Sequence, residues 1–191
     1  LAAGARGISY WWYTPQAPCY GCGAPEPEAV ALWREIGLLG AEVRTLGPVV
    51  TRSCPAAVPV QATPRLWVRS LVAGLDTLVL LVVNDDHAND RAGTVVQPIE
   101  KATATVEVPS WLAARDAFEV THAGVKDAAW TRDGAKVSLD LGTVELTRLV
   151  VITSDQSLRG QLEGIYRTRL AATTAKLAAA GSADFGVRSA K

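Results

Sequence analysis

The 191-residue chain is 49% hydrophobic and 20% charged, with nineteen basic and nineteen acidic side chains. That length holds one sizeable domain with appendages, and the composition is too apolar for a disordered chain. Balanced charge leaves no basic footprint for nucleic acid or an anionic membrane surface, and the longest apolar run, Thr77 to Val83, is far short of the ~20 residues of a membrane-spanning helix.

The chain opens on Leu1 and contains no methionine, as a processed chain or a piece of a longer one would. No charged segment followed by an apolar one marks a signal peptide. Ala5 to Tyr13 is rich in β-branched and aromatic residues, which predicts a strand over 5–13 ending in Tyr10-Trp11-Trp12-Tyr13. A loop containing Pro, Gly and Cys runs through Gly23. Pro25 and Pro27 then sit where a helix begins, because their missing N–H groups would have no helical partner there. Ala29, Leu32, Trp33, Ile36, Leu39, Val43 and Leu46 recur at spacings of three and four, with Glu28, Arg34, Glu35, Glu42 and Arg44 between them. This predicts an amphipathic helix over 27–46, stopped by Gly47 and Pro48. One strand and one helix cannot close a core, so segment 1–48 must pack against the rest of the chain or against sequence beyond it. That favours a piece of a longer polypeptide.

Over 51–155 the texture becomes short strand-like runs separated by turns. Leu66 to Val72 and Thr77 to Asn84, joined by Gly74-Leu75-Asp76, predict a hairpin. Further runs are Ala102 to Val108, Ala117 to Thr121, Ala128 to Thr131, Lys136 to Leu141 and Arg148 to Thr153, and Asp133-Gly134 is a turn signal between two of them. About seven short strands without βα alternation predict a mainly β fold, an antiparallel β-sandwich. From 156 to 180 the pattern is helical: Leu158, Leu162, Ile165, Tyr166, Leu170 and Leu177 share a stripe, and Ser154 or Asp155 can cap it. The stretch 181–191 reads as a flexible tail.

Three stretches together resemble one family. Ala5-Arg6-Gly7-Ile8-Ser9-Tyr10-Trp11-Trp12 is similar to the eighth barrel strand of TIM-barrel glycoside hydrolases. Leu32-Trp33-Arg34-Glu35-Ile36-Gly37 through Gly47-Pro48 resembles the helix that closes such barrels. Leu66 to Asn84, Phe118-Glu119-Val120 and Thr147 to Val151 resemble the β-sandwich often appended to them. The resemblance implies the end of a (β/α) barrel over 1–48 followed by an accessory sandwich. In that family two carboxylates from earlier barrel strands flank the scissile bond. Glu26 and Glu28 read instead as charges favoured at a helix start, so no catalytic residue is identifiable in this chain.

Four features could carry chemistry. Tyr10, Trp11, Trp12 and Tyr13 would stand at the mouth of a barrel strand, where flat aromatic faces can stack on sugar rings; the alternative is core packing. Cys19 and Cys22 form a CxxC without the βαβ setting of a redox motif. A zinc site would have to draw on Cys54, His87 and His122, so a disulfide between Cys19 and Cys22 is the favoured reading, with Cys54 a free thiol or alternative partner. Asp85, Asp86, Asn89 and Asp90 gather oxygen donors of the kind calcium prefers, without EF-hand spacing, and such Asx-rich turns more often simply join strands. Neither histidine has an evident nucleophile partner, and Gly21 and Gly23 open no phosphate-binding motif, so no cofactor is expected.

The expectation is therefore the C-terminal accessory region of a secreted, periplasmic or cell-surface carbohydrate-active protein. Its partners would be carbohydrate and a barrel or other chain packed on 1–48. The rival is a non-catalytic interaction module of a cell-surface or multiprotein assembly.

Overall fold

The computed structural model describes residues 1, 3–5, 8–9, 27–90 and 93–179. The expected strand over 5–13 falls mainly outside the described residues. Among the described residues the chain begins with α1 (Pro27–Thr45) and a one-turn α2 (Gly47–Val50). Strands follow: β1 (Ser53–Ala56), β2 (Val60–Ala62), β3 (Leu66–Ala73), β4 (Thr77–Asn84), β5 (His87–Asp90), β6 (Gly93–Val96), β7 (Ile99–Glu107), β8 (Asp116–Thr121), β9 (Gly124–Asp127), β10 (Ala129–Asp133), β11 (Lys136–Val144) and β12 (Thr147–Thr153). Two helices close the described chain, α3 (Leu158–Arg169) and α4 (Ala171–Ala179).

One sheet has the order β1-β3-β4-β12-β8-β9, a second β10-β11-β7-β2, and β5 pairs with β6 alone. Every pairing is antiparallel. The fold is thus the mainly β antiparallel sandwich that the alternating runs predict. The hairpin over 66–84 pairs Leu66 with Asn84 and Ala73 with Thr77, and Asp133-Gly134 turns β10 into β11 with Gly134 at φ +56°. Strands β1, β2, β5, β6 and β9 have three or four residues each, too few to show an alternation. They bring the described total to twelve where the runs suggest about seven.

The six-stranded sheet is the middle of three layers. Leu78, Leu80 and Val82 of β4, with Val150 and Ile152 of β12, face the four-stranded sheet. Val79 and Leu81, with Leu149 and Val151, face the helices beside Leu46, Val49, Phe118, Leu158 and Leu162. The unbroken apolar run of β4 follows from this, because both of its faces are covered. Burying each such side chain contributes about 1.5–3 kcal/mol. The four-stranded sheet covers one face only, and β11 accordingly alternates, with Val137, Leu139 and Leu141 buried between exposed Lys136, Ser138 and Asp140.

Several buried polar groups of the sandwich are paired. Thr77 and Thr153 share a hydroxyl hydrogen bond at 3.0 Å between β4 and β12. The Asn84 amide donates to the carbonyls of Gln97, Val144 and Glu145 at 2.7, 3.0 and 2.9 Å, tying the end of β4 to two other turns. Gly124 opens β9 at φ +110°, and a Cβ there would stand 2.9 Å from the Tyr166 ring, so the turn requires glycine twice over.

The closing helix is divided at Leu170, whose φ of −124° leaves the helical range. The break lets α3 lie on β9 while α4 turns onto α1. Tyr166 and Thr174 share a hydrogen bond at 2.9 Å across it. Asp155 launches α3 by accepting the N–H and O–H of Ser157 at 2.8 and 2.6 Å. These bonds hold its carboxyl below the usual range. Among the described residues no helix is long and apolar enough to cross a membrane.

Candidate functional site

Tyr10, Trp11, Trp12, Tyr13, Cys19 and Cys22 lie outside the described residues. Cys54 is a free, exposed thiol on edge strand β1, 3.8 Å from the Val72 carbonyl. Asp85, Asp86, Asn89 and Asp90 lie where β4 passes into the β5–β6 hairpin. There the Asp86 N–H donates to the Asn84 side chain at 2.8 Å, and the exposed Asp85 carboxylate stands 3.6 Å from His87 Nδ1. Among the described residues no three His, Cys, Asp or Glu side chains converge so as to hold a metal ion.

The structure instead brings together residues that the sequence keeps apart, in a groove of about 480 Å³ beside α1. Glu42 of α1, Glu119 of β8, His122 in the β8–β9 turn, Lys126 of β9 and Arg148 of β12 line it. Glu119 is 5% exposed, and a carboxylate so deep must be paired to stay charged. Lys126 Nζ and Arg148 Nη1 both reach its Oε2, at 3.0 and 3.2 Å. Cross-strand register explains the meeting, since Glu119 lies opposite Lys126 on one side and Val150, two residues beyond Arg148, on the other. Arg148 also donates to the Thr143 carbonyl at 2.6 Å, which fixes the guanidinium.

Glu42 is the helix's contribution. Its Oε1 accepts the His122 backbone N–H at 2.9 Å and lies 3.7 Å from His122 Nδ1. Burial pushes the Glu42 carboxyl above the ordinary range, and the His122 contacts offset part of that rise. An apolar pocket of about 230 Å³ adjoins, sharing Glu42 and Arg148 with the groove and adding Leu39, Val43 and Trp67. Trp67 is 40% exposed and its ring carries the Arg69 guanidinium at 4.6 Å.

This arrangement can bind: it offers carboxyl, guanidinium and ammonium groups next to an exposed indole edge. Among the described residues neither His87 nor His122 hydrogen-bonds to a hydroxyl or thiol that it could activate. The sequence reading passes over Glu42, Glu119, Lys126 and Arg148. One signal was available: Phe118-Glu119-Val120 sets a carboxylate in an apolar strand, and such a charge demands a cation from a neighbouring strand.

No protein-family model matches the chain, and no curated protein matches it. Among solved structures it is similar to part of alpha-L-fucosidase isoenzyme 2 from Paenibacillus thiaminolyticus, at 9% identity and a TM-score of 0.37, over 51% of this chain and 15% of that one. It is also similar to part of a cycloisomaltooligosaccharide glucanotransferase from Paenibacillus sp., complexed with cycloisomaltoheptaose, at 10% identity and a TM-score of 0.44 over 59% of this chain and 21% of that one. The chain thus spans about a fifth or less of either enzyme's length.

Proposed function

We propose that the chain is the C-terminal accessory region of a larger carbohydrate-active protein, in which the sandwich is a rigid mount and α1 is the element that meets the catalytic body. The sequence resemblance of 1–48 to the end of a barrel motivates the catalytic partner. The observation that carries the reading is the second apolar side of α1. Ala31, Leu38, Ala41 and Thr45 are buried within this chain. Leu32, Ile36, Leu39 and Val43, spaced four, three and four residues, form another stripe, with Leu32 at 43% and Leu39 at 39% exposure. A helix of a single globular domain carries polar residues on its outer side; one apolar on two sides is suited to lie between two bodies. Sugar contact in this proposal falls to the aromatic cluster Tyr10–Tyr13, and the groove at Glu42 belongs to the joint between helix and mount.

The test is the intact mass and terminal sequence of the native polypeptide, followed by assay of that polypeptide on a panel of glycosides. A polypeptide much heavier than 20.2 kDa that cleaves a glycoside, with two essential carboxylates upstream, supports the proposal. A native mass of 20.2 kDa, or a longer protein inactive on every glycoside, overturns it in favour of a non-catalytic interaction module.

A further inference from the structure

The groove between α1 and α4 adds a chemical identity to the partner, and this step rests on the interface reading above. Its walls are Trp33, Ile36, Gly37, Gly40 and Ala41 on α1, and Leu170, Thr173 and Leu177 on the α3–α4 side, enclosing about 650 Å³. From Trp33 to Arg44 the trough follows three turns of α1, about 16 Å at 1.5 Å per residue. Its lining is predominantly apolar.

Two details set it apart from an ordinary seam. The first concerns glycine inside a helix, which costs about 0.5–1 kcal/mol against alanine and so calls for a reason. At Gly37 the reason is internal, since a Cβ would stand 2.7 Å from Leu177 Cδ1. At Gly40 no atom lies within 4 Å of a Cβ position, so nothing described in this chain requires the missing side chain. A neighbour brought close to the α1 backbone would. The second detail is charge. Arg44 and Arg169 line the same groove, each in the last turn of its helix, where the helix dipole favours a cation. Among the described residues Arg34, Arg52, Lys126, Arg148 and Arg159 stand in ion pairs; Arg44 and Arg169 are not among them.

We infer that the α1–α4 groove is the docking site for an amphipathic helix of the larger protein whose apolar stripe is flanked by acidic residues. The apolar walls take the stripe, Gly40 admits the helix to close range, and the two guanidiniums meet the carboxylates.

The experiment uses the 191-residue chain and two fluorescein-labelled synthetic helical peptides with one leucine stripe, flanked by glutamate in one and by lysine in the other. Anisotropy titrations are run against the wild type, the double variant Arg44→Glu/Arg169→Glu, and Gly40→Leu. The expected result is saturable binding of the glutamate peptide at least tenfold tighter than the lysine peptide. That preference is inverted by the double charge reversal, and Gly40→Leu removes binding while keeping the wild-type circular dichroism spectrum and a melting temperature at or above that of the wild type. Equal binding of both peptides, no saturable binding, or binding untouched by the charge reversal overturns the inference. So does a dimer by light scattering that Gly40→Leu abolishes, or binding to phosphatidylglycerol vesicles with none to peptide. The outcome is separable from the mass measurement: a long, active polypeptide that fails here sinks only the docking site, and a 20.2 kDa chain that passes here sinks the carbohydrate-active parent and leaves the groove to a helix of a separate protein.

Discussion

The two helical elements on the middle sheet are attached in different ways. Helix α3 is finished business: Leu158 and Leu162 are 3% and 0% exposed, and Arg159 grips Asp116 Oδ1 at 2.6 Å, pairs with Asp127 and lies over the Phe118 ring at 5.1 Å. The hydrogen bonds it donates to Asp116, and then to Asp127, hold the Arg159 guanidinium well above its usual pKa, against the opposing effect of burial. Helix α1 is longer and more apolar, yet it leaves Val30, Leu32, Trp33 and Leu39 each more than a third exposed, and among the described residues Glu42 accepts the His122 N–H of the sandwich. The difference is that α3 completes its packing within the described chain, whereas α1 keeps apolar side chains exposed there, the side that the proposed interface would use.

That contrast can be broken from the sandwich outward. Phe118→Ala, at a 0% exposed position under α3, is expected to cost about 3–5 kcal/mol in urea unfolding; a loss below 1 kcal/mol would mean that the sheet–helix core is not cooperative. Asn84→Ala strands three carbonyls and should cost about 1–3 kcal/mol by the same measurement. Arg159→Ala should cost about 1–2 kcal/mol, discounted for its partial exposure, and should raise amide exchange in α3 before that of β4. For α1, Leu39→Ser should shift urea stability by less than about 0.5 kcal/mol, since its side chain is not part of the core; a large loss would show that the second stripe serves this chain alone.

The smallest expected effect is electrostatic. Glu42 has a folded-state pKa above its unfolded value, so the folded chain binds the proton more tightly. Docking of α1 is therefore most stable below the unfolded value and loses a little stability as pH rises through the folded one. Over the range just above pH 4.5, amide exchange in α1 should quicken with pH beyond its intrinsic trend. Solvent screening keeps the change under about 1 kcal/mol, and Glu42→Gln should flatten it. An identical slope in that variant would assign the effect to another group.

What could be read from the sequence follows contact distance. The β3–β4 hairpin, the β10–β11 turn and the alternation of β11 depend on neighbours a few residues away, and the residues announce them. The apolar run of β4 announces burial on both faces without saying what covers the second one. The division of the closing helix at Leu170 carries no Gly or Pro; it is imposed by the packing of α4 on α1, which no local pattern records. The site suffers most. Glu42 and His122 meet across 80 residues and Glu119 and Arg148 across 29, and a charge finds such a partner only once the sheet order is known.

The place of β4 in that order bears on how the chain is made. Its first neighbour, β3, precedes it directly, but its second, β12, pairs Thr153 with Thr77, 76 residues later. During synthesis the most apolar of the described strands is therefore an open edge until nearly the whole sandwich has left the ribosome. Long-range pairing of this kind is slow, and a bare apolar edge is what chaperones recognise and what other nascent chains join. Yield in a cell should accordingly depend more on how long β4 waits than on how stable the finished sandwich is.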